Sequence, residues 1–175
     1  MPRKKADEGS GRRSEVVTVR LDPRLKYLAE VSARKQRRPL SGFIEWAVEQ
    51  SLDRVNLRES PEIPVTVAQA ERSHRLWDVD EADRVARLAL HFPELLTYDE
   101  QLIWRLVRSN GYVWRGQYAG ADSSWQWVVG EKQLLWDRLR EHWETFKGVA
   151  AGRISVENLP TWARHDPKPK DDDDI

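Results

Sequence analysis

The chain contains no cysteine and a single methionine, Met1. The first absence excludes disulfide bonds, thiol catalysis and thiolate metal sites. Long apolar runs are missing too. No stretch approaches the roughly 18 apolar residues of a membrane span, and residues 1–15 lack the apolar centre of a secretory leader. The reading is a soluble protein of the cytoplasm with no membrane partner. Phenylalanine is scarce, at three residues, whereas tryptophan is plentiful, at nine.

The length, 175 residues, suits one ordinary domain or two small ones. Hydrophobic residues make up 39% and charged residues 33%. Net charge is zero, with 29 basic and 29 acidic side chains, but the balance is uneven along the chain. Residues 1–58 carry 14 Lys+Arg against 8 Asp+Glu, a net of +6, and residues 59–175 carry the compensating −6. A basic first half points to a polyanion partner there. All the tryptophans except Trp46 lie in the second half.

The chain divides accordingly. Residues 1–14 are polar and basic, and read as a disordered arm. Residues 15–57 form a first domain, 58–64 a linker with two prolines, and 65–165 a second domain. The charged run 166–175 is an acidic tail without means of packing. In the first domain, Val17, Val19 and Leu21 alternate with Val16, Thr18 and Arg20, which predicts a short strand with one apolar face. Asp22-Pro23 supplies a helix N-cap and a favoured first helical residue, and the helix runs to about Gln36. After Arg37-Arg38-Pro39-Leu40, Ser41 is placed to cap a second helix reaching about Val55. Its stripe Ile44, Ala47, Val48, Ser51, Leu52, Val55 lies on one helical face.

A strand and two helices in so few residues cannot bury a core alone, and the strand has no neighbour to pair with. A second copy solves both problems. Two strands would pair antiparallel across a two-fold axis, leaving Val16, Thr18 and Arg20 of both copies facing outward.

These residues, VVTVRLDPRLKYLAEVSARKQRRPLSGFIEWAVEQSL from Val16 to Leu52, resemble the ribbon-helix-helix (MetJ/Arc-type) DNA-binding family. The resemblance implies a homodimer through residues 15–57 whose two-stranded ribbon enters the major groove of double-stranded DNA. It implies base reading by Thr18 and Arg20, with Val16 as the third outward position. It implies phosphate anchoring at the start of the second helix, at Ser41 and Gly42, where free N–H groups and the helix dipole favour an anion. Arg37 or Arg38 stands where the family commonly has a turn glycine, and both add charge where phosphates would pass. Arg12 and Arg13 of the arm would add phosphate attraction.

The second domain reads as Trp-rich α+β, mainly helical with one hairpin. Helices are expected around 66–76, over 78–92, after the Thr97/Glu100 capping box up to Asn110-Gly111, and over 131–150. Tyr112–Tyr118 and Trp125–Val129 form the hairpin. No metal-ligand spacing, nucleophile triad or phosphate loop stands out, so no cofactor or catalytic residue is implied. The functional expectation is a sequence-specific transcriptional repressor or autoregulator. Its second domain would serve oligomerisation, ligand sensing or partner binding, and whether its partner is a protein or a small molecule stays open. The alternatives are an antitoxin with autoregulatory DNA binding, and, with the least support, an enzyme in the second domain.

Overall fold

The computed structural model describes residues 16–58, 64–119 and 124–162. It holds six α-helices and two small antiparallel hairpins among those residues. Two compact units divide between Gln50 and Ser51.

The first unit contains α1, Pro23–Lys35, and most of α2, Leu40–Leu52. Asp22 caps α1, its side chain accepting from the Leu25 N–H at 3.0 Å, with Pro23 in the first turn. The segment 16–21, expected as a strand, has no regular secondary structure and pairs with no other segment among the described residues. A strand needs a partner for its backbone N–H and C=O groups, and none of the described residues lies beside it as one. The second helix starts at Leu40, two residues before the start that a Ser41 cap would give, because Pro39 O already accepts from the Phe43 N–H at 3.0 Å. It ends at Leu52 rather than near Val55, where the chain turns and enters a strand.

The second unit opens with β1, Asn56–Arg58, antiparallel to β2, Val65–Thr66. The stretch expected as a linker, 58–64, therefore begins on the last residue of β1 and is followed directly by β2. Helix α3, Val67–His74, starts from a two-way capping box, Thr66 with Gln69. Next come α4, Glu81–His91, α5, Tyr98–Ser109, the hairpin β3, Gly116–Ala119, with β4, Ser124–Trp127, and α6, Trp136–Ala150. Residues 131–133 form a separate 3-10 turn, so α6 starts later than the sequence pattern suggested.

The core lies between α4, α5 and α6, with Val107, Val113, Leu139 and Phe146 wholly buried. Trp104 packs edge-on to the buried Trp114 at 6.0 Å, and the Trp114 indole donates to Val107 O at 2.9 Å. Trp104, Trp114 and Trp143 fill the core, whereas the other tryptophans are half-buried or exposed. One charged group is also fully buried. Asp83 on α4 receives two bonds from Arg140 on α6, Nε to Oδ1 at 2.9 Å and Nη2 to Oδ2 at 2.8 Å. Arg87 adds a longer contact at 3.5 Å.

The β1–α3 module meets α4 through two stacked imidazoles, His74 and His91, 3.8 Å apart. Arg58 of β1 donates to His91 O at 2.9 Å, and Glu131 faces His91 Nε2 at 3.2 Å. Desolvation, the neighbouring His91 and Arg58 lower the His74 pKa, against an opposing pull from Glu131. Below about pH 6.5 the unfolded chain therefore takes up the His74 proton before the folded chain does. Stability is expected to fall as the pH drops through that window, and His74→Gln should flatten the trend. Urea midpoints at pH 7.5 and 5.5 measure it; equal slopes in both proteins would refute the assignment.

Candidate nucleic-acid interface

Three stretches of the first unit carry the expected DNA contacts. The first is the exposed segment before α1. Val16, Thr18 and Arg20 are all exposed there, and Arg20 has no ion pair among the described residues. The alternate side chains are uncovered as well, Val17 at 79% and Val19 at 59% exposure, while Leu21 is half-buried. The expected apolar face of the strand is therefore open to solvent in the single chain, and so are Leu25 and Leu28 of α1 and Val48 and Leu52 of α2. Among the described residues of this unit, the buried side chains are two alanines, Ala29 and Ala33.

The second stretch is the turn between the helices. Arg37 takes φ +54°, the left-handed region. The Arg38 N–H reaches Ala33 O and the Arg37 N–H reaches Arg34 O, both at 3.0 Å. This is the Schellman helix stop, in which glycine is the usual left-handed residue. The left-handed position is thus occupied by Arg37, and the turn closes without glycine. An L-residue there costs roughly 1–2 kcal/mol in backbone strain. Arg37→Gly is expected to stabilise the first unit by about 0.5–1 kcal/mol, part of the relief being offset by glycine's greater freedom when unfolded. Thermal unfolding of the full chain tests this; a lower midpoint would show that the Arg37 side chain supplies more than charge. Arg38 lies over the Trp46 ring, 5.8 Å from its centroid, and Trp46 packs on Phe43 at 5.6 Å.

The third stretch is the start of α2. Leu40, Ser41 and Gly42 hold the first three helical N–H groups, which have no partner within a helix. No acidic residue stands in that turn, so nothing local neutralises the dipole. A Cβ on Gly42 would meet only Pro39 at ordinary contact distance, 3.5 Å. The fold therefore does not itself require glycine at 42, and its small size keeps the backbone N–H groups open to an approaching anion. Arg12 and Arg13 lie outside the described residues.

The basic turn and the α2 start are adjacent in the chain and form one exposed, positively charged corner, whereas the strand segment lies on the far side of α1 in sequence. Sequence reasoning located the corner residues but could not foresee the left-handed Arg37, because that conformation usually selects glycine or asparagine.

In the second unit an open groove of about 870 Å³ runs beside α5, lined by Leu96, Tyr98, Leu102 and Trp104 with Arg105 and Arg108. Among the described residues, no set of three or more His, Asp or Glu is placed to hold a metal ion, and no helix is long and apolar enough to cross a membrane.

No family model matches this chain, and no curated protein or solved structure is significantly similar to it.

Proposed function

We propose that this chain is a homodimeric, sequence-specific DNA-binding protein, a transcriptional repressor or autoregulator that reads the major groove with a ribbon made from residues 16–21 of two copies. The observation that carries this reading is the uncovered apolar side of the first unit. Val17, Val19, Leu25, Leu28 and Val48 are exposed in a unit whose buried side chains, among the described residues, are alanines. Two helices with so little buried surface are too small to be stable alone, and a second copy laid on the same face covers both sets. In such a dimer the strand segments gain their missing hydrogen bonds, and Thr18 and Arg20 remain outward. The charge split agrees, since the excess of basic residues lies in the first third of the chain.

The second unit is read as a regulatory or partner-binding domain. An antitoxin usually presents a short segment that folds on its toxin. Here a core of α4, α5 and α6 closes on itself, which favours a repressor with a folded second domain.

Light scattering of the full chain should give twice the 20.5 kDa chain mass, and selection from random duplexes should enrich one two-fold-symmetric site. Val19→Glu, which sets a charge in the proposed ribbon's covered face, should yield a monomer that enriches nothing. A wild-type monomer at micromolar concentration, or a Val19→Glu protein that still dimerises, would overturn the reading.

A further inference from the structure

The end of the described chain is held in the way a bound molecule is held. Residues 159–162 have no regular secondary structure and follow the last 3-10 turn, Val156–Asn158. The Asn110 side-chain amide donates to Pro160 O at 2.8 Å. Trp162 stacks on Trp125 with centroids 4.5 Å apart and planes at 25°. The Arg138 guanidinium lies 4.6 Å from the Trp162 ring centroid. The indole N–H of Trp162 donates to the Tyr118 hydroxyl at 2.8 Å. One planar ring thus receives a stacking partner, a cation and a hydrogen-bond acceptor, which are the elements of specific recognition of an aromatic heterocycle.

The walls of this slot are fixed without Trp162. The Trp125 indole donates to Gly111 O at 3.0 Å, and a Cβ on Gly111 would strike Trp125 and Trp127 at 2.8 and 2.7 Å. Arg138 donates to Tyr112 O at 3.1 Å and lies 4.4 Å from the Tyr112 ring centroid. Tyr118 meets Trp125 edge-on at 5.1 Å. The wall residues come from the 3-10 turn at 111–113, the β3–β4 hairpin and α6. By contrast, the segment bringing Trp162 is held by Leu159, which packs half-buried on the core, by Pro160 O and by the ring itself, with Thr161 exposed between the last two.

We propose that this slot is a binding site for planar aromatic heterocycles bearing one N–H donor, of the indole class, and that Trp162 is its resident occupant, displaced when such a molecule binds. This gives the second unit a small-molecule response and does not rest on the DNA-binding reading. A tethered occupant competes at a high effective concentration, so removing it should tighten binding of a free ring.

The test uses the full chain and indole as the probe. Trp162→Ala should bind indole at least about tenfold more tightly than the unaltered chain by calorimetry, since the tethered competitor is gone. Adding Arg138→Met to Trp162→Ala should weaken that binding by about tenfold or more, through loss of the cation over the ring. Because the protein has no cysteine, Thr161→Cys places a single dye on the strap, and its anisotropy should fall as indole is added. Should the Trp162→Ala chain lose its cooperative melt, indole must restore it. Equal indole affinity with and without Trp162, or no restoration of a lost melt, overturns the proposal. So does a dye anisotropy that stays constant while Trp162→Ala binds indole, because Trp162 is then a fixed structural anchor.

Discussion

Arg140→Met is expected to cost the second unit about 3–5 kcal/mol, the range for stripping one partner from a buried ion pair. The cost follows from an asymmetry within the pair. Asp83 is wholly buried, whereas the Arg140 side chain keeps 40% of its exposure. Removing the arginine leaves a carboxylate that cannot reach water, with only the 3.5 Å contact from Arg87. Removing the carboxylate leaves a guanidinium that can turn to solvent and still holds Asp137 at 2.8 Å. Asp83→Asn should therefore cost less than Arg140→Met. The double replacement Asp83→Leu with Arg140→Met should recover much of the loss, since an apolar pair removes the unpaired charge. Urea unfolding followed by tryptophan emission reads all four proteins, because Trp104, Trp114 and Trp143 lie in the same core. If Asp83→Asn costs as much as Arg140→Met, the pair acts through its geometry and not through the burial of charge.

That pair also marks what the sequence could and could not reveal. Local signals were legible. Asp22-Pro23 caps α1, and Thr97 and Glu100 cap each other's backbone at the start of α5. The aromatic alternation around Trp125 and Trp127 lies in a real hairpin. These features depend on neighbours within a few residues, so the pattern carries the information. Asp83 and Arg140 are 57 positions apart, and nothing in either neighbourhood distinguishes them from solvated charges. Asn110-Gly111 ends α5 as expected, but for another reason. The glycine is needed because two indole rings lie against it, whereas helix-stop glycines usually serve a left-handed turn. The stretch at 58–64 looked like a linker because its prolines dominate the composition. Its first residue, Arg58, pairs with Val65 just beyond its last, in strands too short to show a period. Of the candidate interface, the exposure of Val16, Thr18 and Arg20 agrees with their outward places in the alternation, whereas the left-handed Arg37 had no signal in the sequence. The alternation at 16–21 is present in the sequence, yet those residues pair with no other segment among the described residues, because alternation marks which face is apolar and does not supply the neighbour a strand needs.

The same reasoning gives the sharpest expectation for DNA binding. Arg20 is exposed and without an ion pair among the described residues, so its guanidinium stands open to a ligand on that side. If the ribbon lies in the major groove, Arg20 meets a guanine edge through two parallel bonds, each such pair discriminating by about 1–3 kcal/mol. A dimer presents the residue twice, so Arg20→Ala should weaken cognate binding by about 2–6 kcal/mol and leave random duplex nearly untouched. Arg37 and Arg38 belong to the exposed corner at the start of α2, where a phosphate would pass, and phosphate contacts carry no sequence information. Arg37→Ala with Arg38→Ala should weaken cognate and random duplex alike and flatten the salt dependence, because fewer counterions are released. Titrations of each protein against cognate and scrambled duplexes at two salt concentrations separate these outcomes. Equal losses from Arg20→Ala on both duplexes would make Arg20 a phosphate contact. No loss on either would mean that the outward face of residues 16–21 does not meet DNA, and the corner at Arg37 to Gly42 would then have to account for any binding that remains.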